Sequence, residues 1–198
     1  MTKKTALLAV ANGSEETEAV ATMDTLVRGG VQVTMASVER TLQVTASRGV
    51  RLVADVLIDD ASLQERLFDA VVLPGGMPGA EHLRDSAELL SILKRHAAAK
   101  RIIGAICAAP AVTLAAHGLL DGVHATCFPS PAFRGKLQSH PGVDEPVVVD
   151  GHFITSQGPG TALAFGLALV QALCGTAQAE QVAKGLLVSM PAVGASAQ

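Results

Sequence analysis

Three observations predict an open α/β fold for this chain, a mostly parallel central sheet with helices on both faces. Strand-like and helix-like segments alternate almost throughout the 198 residues. Hydrophobic residues make up 49% but aromatics only 3%, with no Trp or Tyr. The core must therefore be built from Val, Leu, Ile and Ala, which suits buried parallel strands. Four unusual segments follow strands: Asn12 to Glu18, Pro74 to Pro78, Cys107 to Pro110 and Gln157 to Gly160. An open sheet brings such segments to one edge, where ligands bind.

The elements read as follows. Residues 5–11 form a first strand. Asn12-Gly13-Ser14 is a turn, and Glu15 to Arg28 is a helix with Ser14 as N-cap, stopped by Gly29-Gly30. Val31 to Val38 is a second strand. Residues 41–58 hold short strand-like pieces around a turn at Ser47-Arg48-Gly49. Asp69 to Leu73 is a buried strand, and Ser86 caps a helix to Ala98. The run from Ile102 ends at Cys107, and Ala108 to Ala116 reads as a helix with Pro110 in its first turn. His124 to Phe128 reads as a strand. Val147 to Asp150 and His152 to Ser156 pair as a hairpin around Asp150-Gly151. Helices run from about Thr161 to Leu173 and from about Ala177 to Leu187. The simplest organisation is one domain over residues 1–190, with a loose tail over 191–198.

Composition excludes several classes. The formal net charge is −3, without the basic stripe of a nucleic-acid binder. Stacking aromatics are scarce as well. Three cysteines, an odd and sparse count, argue against a disulfide framework and for a reducing, cytoplasmic setting. Lys3-Lys4 followed by Thr5 to Ala11 imitates a signal peptide. That unit is only about half the usual minimum of ~15 residues, so a first strand is the better reading. No apolar stretch has the length of a membrane span. None of His82, His96, His117, His124, His140 and His152 has metal-site pairing.

Cys107 is the first candidate for chemistry. A cysteine at a strand-to-helix turn sits at the positive end of the helix dipole, which favours the thiolate. It also gains a backbone donor, the Ala108 N–H. The alternative is a small buried hydrophobe. Gly75 and Gly76 let backbone N–H groups approach a ligand and complete an oxyanion hole with Ala108; the alternative is a plain tight turn. Glu18 lies further into its helix than Glu15 and Glu16 and shares a stripe with Thr22. Burial there would raise its pKa and suit it to proton transfer. Arg28 and Arg48 are either anion-binding or simply solvated. Cys127 and Cys174 look structural.

The motifs Ala11-Asn-Gly-Ser-Glu-Glu-Thr-Glu18, Val72-Leu-Pro-Gly-Gly76, Ala105-Ile-Cys-Ala-Ala-Pro110 and Thr155-Ser-Gln-Gly-Pro-Gly-Thr161 together resemble the ThiJ/PfpI superfamily. The likeness runs from about residue 5 to residue 188. It is strongest to the branch holding the YajL-type bacterial proteins and the parkinsonism-associated deglycase. The resemblance implies a flavodoxin-like three-layer sandwich and a homodimer. It implies that Cys107 is an oxidation-prone nucleophile and that protonated Glu18 hydrogen-bonds its sulfur. The amides of Gly75, Gly76 and Ala108 would form the anion site. Arg28, Arg48, Ser156 and Pro159 match pocket or dimer-contact positions.

The activities implied are cofactor-free conversion of methylglyoxal or glyoxal to lactate or glycolate, and deglycation of proteins. The alternative is a redox-regulated chaperone switched by a Cys107 sulfinate. The expected partners are small aldehydes or glycated proteins, with no metal, nucleic acid or membrane. Departures narrow the reading. Phe128 stands where several members carry a histidine, which weakens a Cys-His mechanism. Ala108 replaces the histidine of the protease-like branch. Residues 155–165 hold neither His nor Glu, so a glutamine amidotransferase is excluded.

Overall fold

A computed structural model describes residues 3–137, 144–192 and 194–195. The strands are β1 (Thr5–Val10), β2 (Gln32–Ser37), β3 (Gln43–Thr45), β4 (Arg51–Val53), β5 (Val56–Leu57), β6 (Ala70–Leu73), β7 (Ile102–Ile106), β8 (Val147–Asp150), β9 (Phe153–Ser156) and β10 (Gly194–Ala195). The helices are α1 (Glu16–Arg28), α2 (Ala61–Gln64), α3 (Gly79–Asp85), α4 (Ala87–Ala98), α5 (Pro131–Arg134), α6 (Ala162–Cys174) and α7 (Thr176–Leu186). Among the described residues one sheet runs β10-β8-β9-β7-β6-β1-β2-β5, and β3-β4 form a separate hairpin. Every neighbouring pair in the large sheet is parallel except β8–β9. Its centre, β2-β1-β6-β7-β9, has the flavodoxin-like order.

Strand side chains alternate between faces, and the core divides accordingly. Leu8, Val10, Val72 and Ile106 join Leu26 of α1 and Phe165 and Leu169 of α6. Leu7, Ala9, Val71, Leu73 and Ile103 join Leu89, Ile92 and Leu93 of α4 on the other face. Both faces are buried, which explains why these strands read as unbroken apolar runs. Gly104 in β7 lets Phe165 close in; a Cβ there would stand 3.0 Å from the ring.

Several sequence expectations are corrected. The N-cap of α1 is Glu15, whose side chain accepts from the Glu18 amide at 2.7 Å. Ser14 is unavailable because its hydroxyl accepts from the Ala11 amide at 2.9 Å. Residues 124–128 form no strand. They are anchored singly instead, the His124 amide to Asp150 and the Thr126 amide to Thr155 Oγ1. The helix after Cys107 is irregular, a wide π turn over Pro110–Leu114 followed by a tight 3-10 turn over Ala115–His117. Short α2, α3 and α5 have no counterpart among the elements expected from the sequence. In the tail, Gly194–Ala195 lie parallel to β8; 193, 196–198 and His140 fall outside the described residues.

Candidate active site

The site is built where β1, β6 and β7 end. Cys107 directly follows β7 and adopts φ 64°, a left-handed conformation that costs a non-glycine residue energy. Two bonds hold it there. Its amide donates to the Ser156 carbonyl at 2.9 Å, and its carbonyl accepts from the Phe128 amide at 2.8 Å. The side chain is thereby turned out of the strand, with 9% of the residue still accessible.

Gly75 lies against this elbow; a Cβ on it would sit 2.6 Å from Cys107 Cβ and 2.8 Å from the Ala108 nitrogen. Gly76 has φ +85°, and a Cβ there would run into the Gly13 carbonyl and reach 2.5 Å from the Glu15 nitrogen. The β6 loop and the β1 loop therefore interlock backbone to backbone. The Glu15 amide seals them by donating to the Gly75 carbonyl at 2.9 Å.

Glu18, in the first turn of α1, is fully buried. Its Oε2 accepts from the Gly75 amide at 2.7 Å. Burial pushes its pKa up to about 7, helped by the negative charge of Glu15 and opposed by the Gly75 amide and the Cys107 thiol. Oε1 makes no hydrogen bond of ordinary geometry, and the Cys107 thiol lies close enough to act on the carboxyl. Burial pushes the Cys107 thiol up to about 12, and the Glu18 charge adds to this, while the Gly76 and Ala108 amides pull it down. This revises the expectation of a thiolate favoured by the helix end alone. Desolvation and the neighbouring carboxylate outweigh the amides as long as Glu18 is ionised. A protonated Glu18 removes the repulsion, so thiolate character depends on where the pair keeps its proton.

The predicted residues divide into two groups. Cys107, Glu18, Gly75, Gly76 and Ala108 come together. The Gly75 amide, however, is committed to Glu18, so the amides facing the sulfur are those of Gly76 and Ala108. Ser156 contributes its carbonyl to the elbow, while its hydroxyl bonds the Pro146 carbonyl and Thr161 Oγ1 at 2.8 and 2.6 Å. Pro159 is exposed at the start of a 3-10 turn. Arg28 lies at the far end of α1 from Glu18, paired with Asp24 at 2.7 Å. Arg48 is exposed on the β3–β4 turn, and its amide donates to Glu16.

Sequence reasoning missed two supports. Glu16 is buried and accepts from Ser47 Oγ at 2.8 Å. Burial acts to raise its pKa, but its own amide, Ser47 and the Arg48 and Val50 amides win and lower it. Glu39 Oε1 accepts from the Asn12 amide at 2.9 Å and meets His82 Nδ1 at 2.7 Å, joining the β1 loop to α3. The acidic run at 15–18 was the available signal for Glu16; nothing local marked Glu39. Among the described residues no cluster of three or more His, Cys, Asp or Glu is arranged to hold a metal ion.

A cysteine held at a strained elbow above a flavodoxin-like sheet, facing a buried acid from the first helix, defines a class of thiol-centred α/β proteins. Comparison makes this specific: the chain belongs to the DJ-1/PfpI family, which it matches over residues 4–172. It is 46% identical over 182 residues to DJ-1 homolog B of Arabidopsis thaliana, covering 92% of this chain but 41% of that protein. The chain thus spans less than half of that plant relative. It is 35% identical to the glutathione-independent glyoxalase DJR-1.2 of Caenorhabditis elegans, covering 94% of this chain and 97% of the relative. The oxidized DJ-1 of Toxoplasma gondii superposes with a TM-score of 0.89 at 42% identity, covering 94% of this chain and 99% of that one.

Proposed function

We propose that this protein is a cysteine-dependent, cofactor-free enzyme that converts methylglyoxal to lactate and glyoxal to glycolate. The observation that carries this reading is the fully buried Glu18 carboxyl beside the Cys107 thiol, held by the Gly75 amide and pushed up by burial to about 7. Such a group both donates and accepts protons at neutral pH. The glyoxalase relative supports the reaction class.

The thiol adds to the aldehyde carbon, forming a carbon–sulfur bond. Its proton passes through Glu18 to the new oxyanion, which the Gly76 and Ala108 amides hold meanwhile. Glu18, again ionised, then removes the hydrogen from that carbon to give an enediolate, and the hydroxyl proton beside the sulfur shifts to the other oxygen. Return of the proton to the neighbouring carbon leaves a thioester. Water cleaves the thioester, releasing lactate and the free thiol, so the net change is addition of one water. No imidazole is required, consistent with Phe128 in place of the family's histidine.

Deglycation of proteins would follow from the same site where the aldehyde is released from an adduct. The exposed Arg28 and Arg48 fit contacts in a homodimer, and the setting proposed is the cytoplasm. The test is chirally resolved lactate formation from methylglyoxal in buffer free of amines and thiols, wild type against Cys107→Ala. Enantioselective turnover lost in the variant supports the enzyme. Consumption of no more than one equivalent per chain sinks it.

A second reading is a redox-regulated chaperone. Two equivalents of peroxide would carry the thiol to a sulfinate, releasing two waters, and protonated Glu18 would donate to a sulfinate oxygen. The oxidized form of the Toxoplasma gondii relative favours considering it. Mass spectrometry after mild peroxide decides. A selective gain of two oxygens at Cys107 supports the switch, and oxidation no faster than at Cys127 removes its basis.

A further inference from the structure

Thr22 is buried on α1, and its hydroxyl has no hydrogen-bond partner. Leaving a buried hydroxyl unpaired is costly, so the position calls for a reason. Thr22 lies four residues after Glu18, on the same buried face of α1. Side chains four apart on a helix are neighbours, with Cβ atoms about 5–6 Å apart. A helical side chain also leans toward the helix N-terminus and covers the turn before its own Cα. Thr22 therefore covers the turn of α1 that carries Glu18, and both side chains are buried there. The Glu18 carboxyl carries the other orphan of this face, Oε1. Two orphaned polar atoms one turn apart on one buried face are the kind of pair that a buried water satisfies together.

We propose that a single buried water bridges Thr22 Oγ1 and Glu18 Oε1, making Thr22 a positioning residue for the site carboxyl. A carboxylate has about four acceptor positions on its two oxygens, so a water at Oε1 leaves room for the Gly75 amide and the Cys107 thiol. Threonine suits the position because its methyl packs in the apolar layer while its hydroxyl serves the water. The other titratable groups acting on Glu18 are Glu15, through its charge, and Cys107, through a hydrogen bond, and neither is altered by a change at Thr22. The inference concerns the carboxyl used in the proposed mechanism, but its test reads protonation rather than turnover. It therefore fails separately from that mechanism.

The experiment is a pH titration of the Glu18 carboxyl by difference infrared spectroscopy, with Glu18→Gln to assign its band. A donor to the ionised form lowers a carboxyl's pKa. Near-isosteric Thr22→Val is therefore expected to titrate about one pH unit higher than wild type, while Thr22→Ser keeps the wild-type midpoint. A crystal structure is expected to place an ordered water within hydrogen-bond distance of both atoms. A Thr22→Val titration superimposed on wild type overturns the proposal. So does a Thr22 hydroxyl bonded to the Glu18 backbone carbonyl with no water between the two side chains.

Discussion

At the scale of single residues, the site depends on one buried acid and one strained thiol. Glu18 has its pKa raised from 4.5 to about 7. The folded chain therefore binds this proton more tightly than the unfolded chain. The stabilisation is present below about 4.5 and is lost as pH rises through about 7. The full shift corresponds to about 3 kcal/mol. Glu18→Gln keeps an acceptor for the Gly75 amide without the charge. It is expected to raise the denaturation midpoint at pH 8 and to leave it nearly unchanged at pH 4.5, while crippling lactate formation. Equal effects at both values would mean that Glu18 is not held protonated by burial. Cys107→Gly addresses the strain. Glycine accepts φ 64° freely, so this variant should lose all turnover yet unfold at a midpoint no lower than that of Cys107→Ala.

At the scale of elements, loops rather than helices place the chemistry. The β1 and β6 loops touch through glycine backbone, and the contact leaves no room for a side chain. Gly76→Ala adds a left-handed penalty to a collision with the Gly13 carbonyl. It should cost at least ~2 kcal/mol in chemical denaturation and also slow Cys107 alkylation. Full stability would mean the loops part easily. Within the elements, α4 carries a different constraint. His96 is fully buried, accepts from the Phe68 amide at Nε2 and pairs with the Ile92 carbonyl through Nδ1, at 2.9 and 2.7 Å. Those partners require the neutral ring with its proton on Nδ1. The chain's apolar runs predicted α4 and its Ser86 cap, because both are local. Residues 124–128 misled because an apolar run resembles a strand even where the backbone bonds singly to Asp150, Thr155 and Cys107.

At the scale of the whole molecule, these buried groups act on stability in opposite directions. Burial lowers the His96 pKa below 6.5, with the Ile92 carbonyl opposing and the charges of Arg95 and Arg101 assisting. Its stabilisation is present above about 6.5 and is lost as pH falls toward the folded value. Glu18 does the reverse over an overlapping range. Urea midpoints between pH 5 and 8 should therefore rise more steeply with pH in Glu18→Gln than in wild type, and less steeply in His96→Gln. Identical slopes in all three would show that neither group titrates with folding. The two-sided core makes a further demand. Phe165 is fully buried against β7, and Phe165→Ala should cost about 3–5 kcal/mol, read as a lowered denaturation midpoint. A cost below 1 kcal/mol would mean that the α6 face tolerates a cavity.

The alternation of strands and helices, the sheet buried on both faces, and the set of strand ends where chemistry gathers are all legible in the chain. Each rests on periodicity or on motifs that are contiguous in the chain. That Gly75 donates to Glu18 while Gly76 and Ala108 face the sulfur emerges only after folding. The fold alone revealed that Glu15 rather than Ser14 caps α1, and that Glu39 ties two loops together. The reason is physical. Backbone amides are identical along the chain, so their assignment depends on which direction each points after folding. The proton affinities of Cys107 and Glu18 likewise depend on water excluded and charge approached, quantities that exist only once distant segments have met.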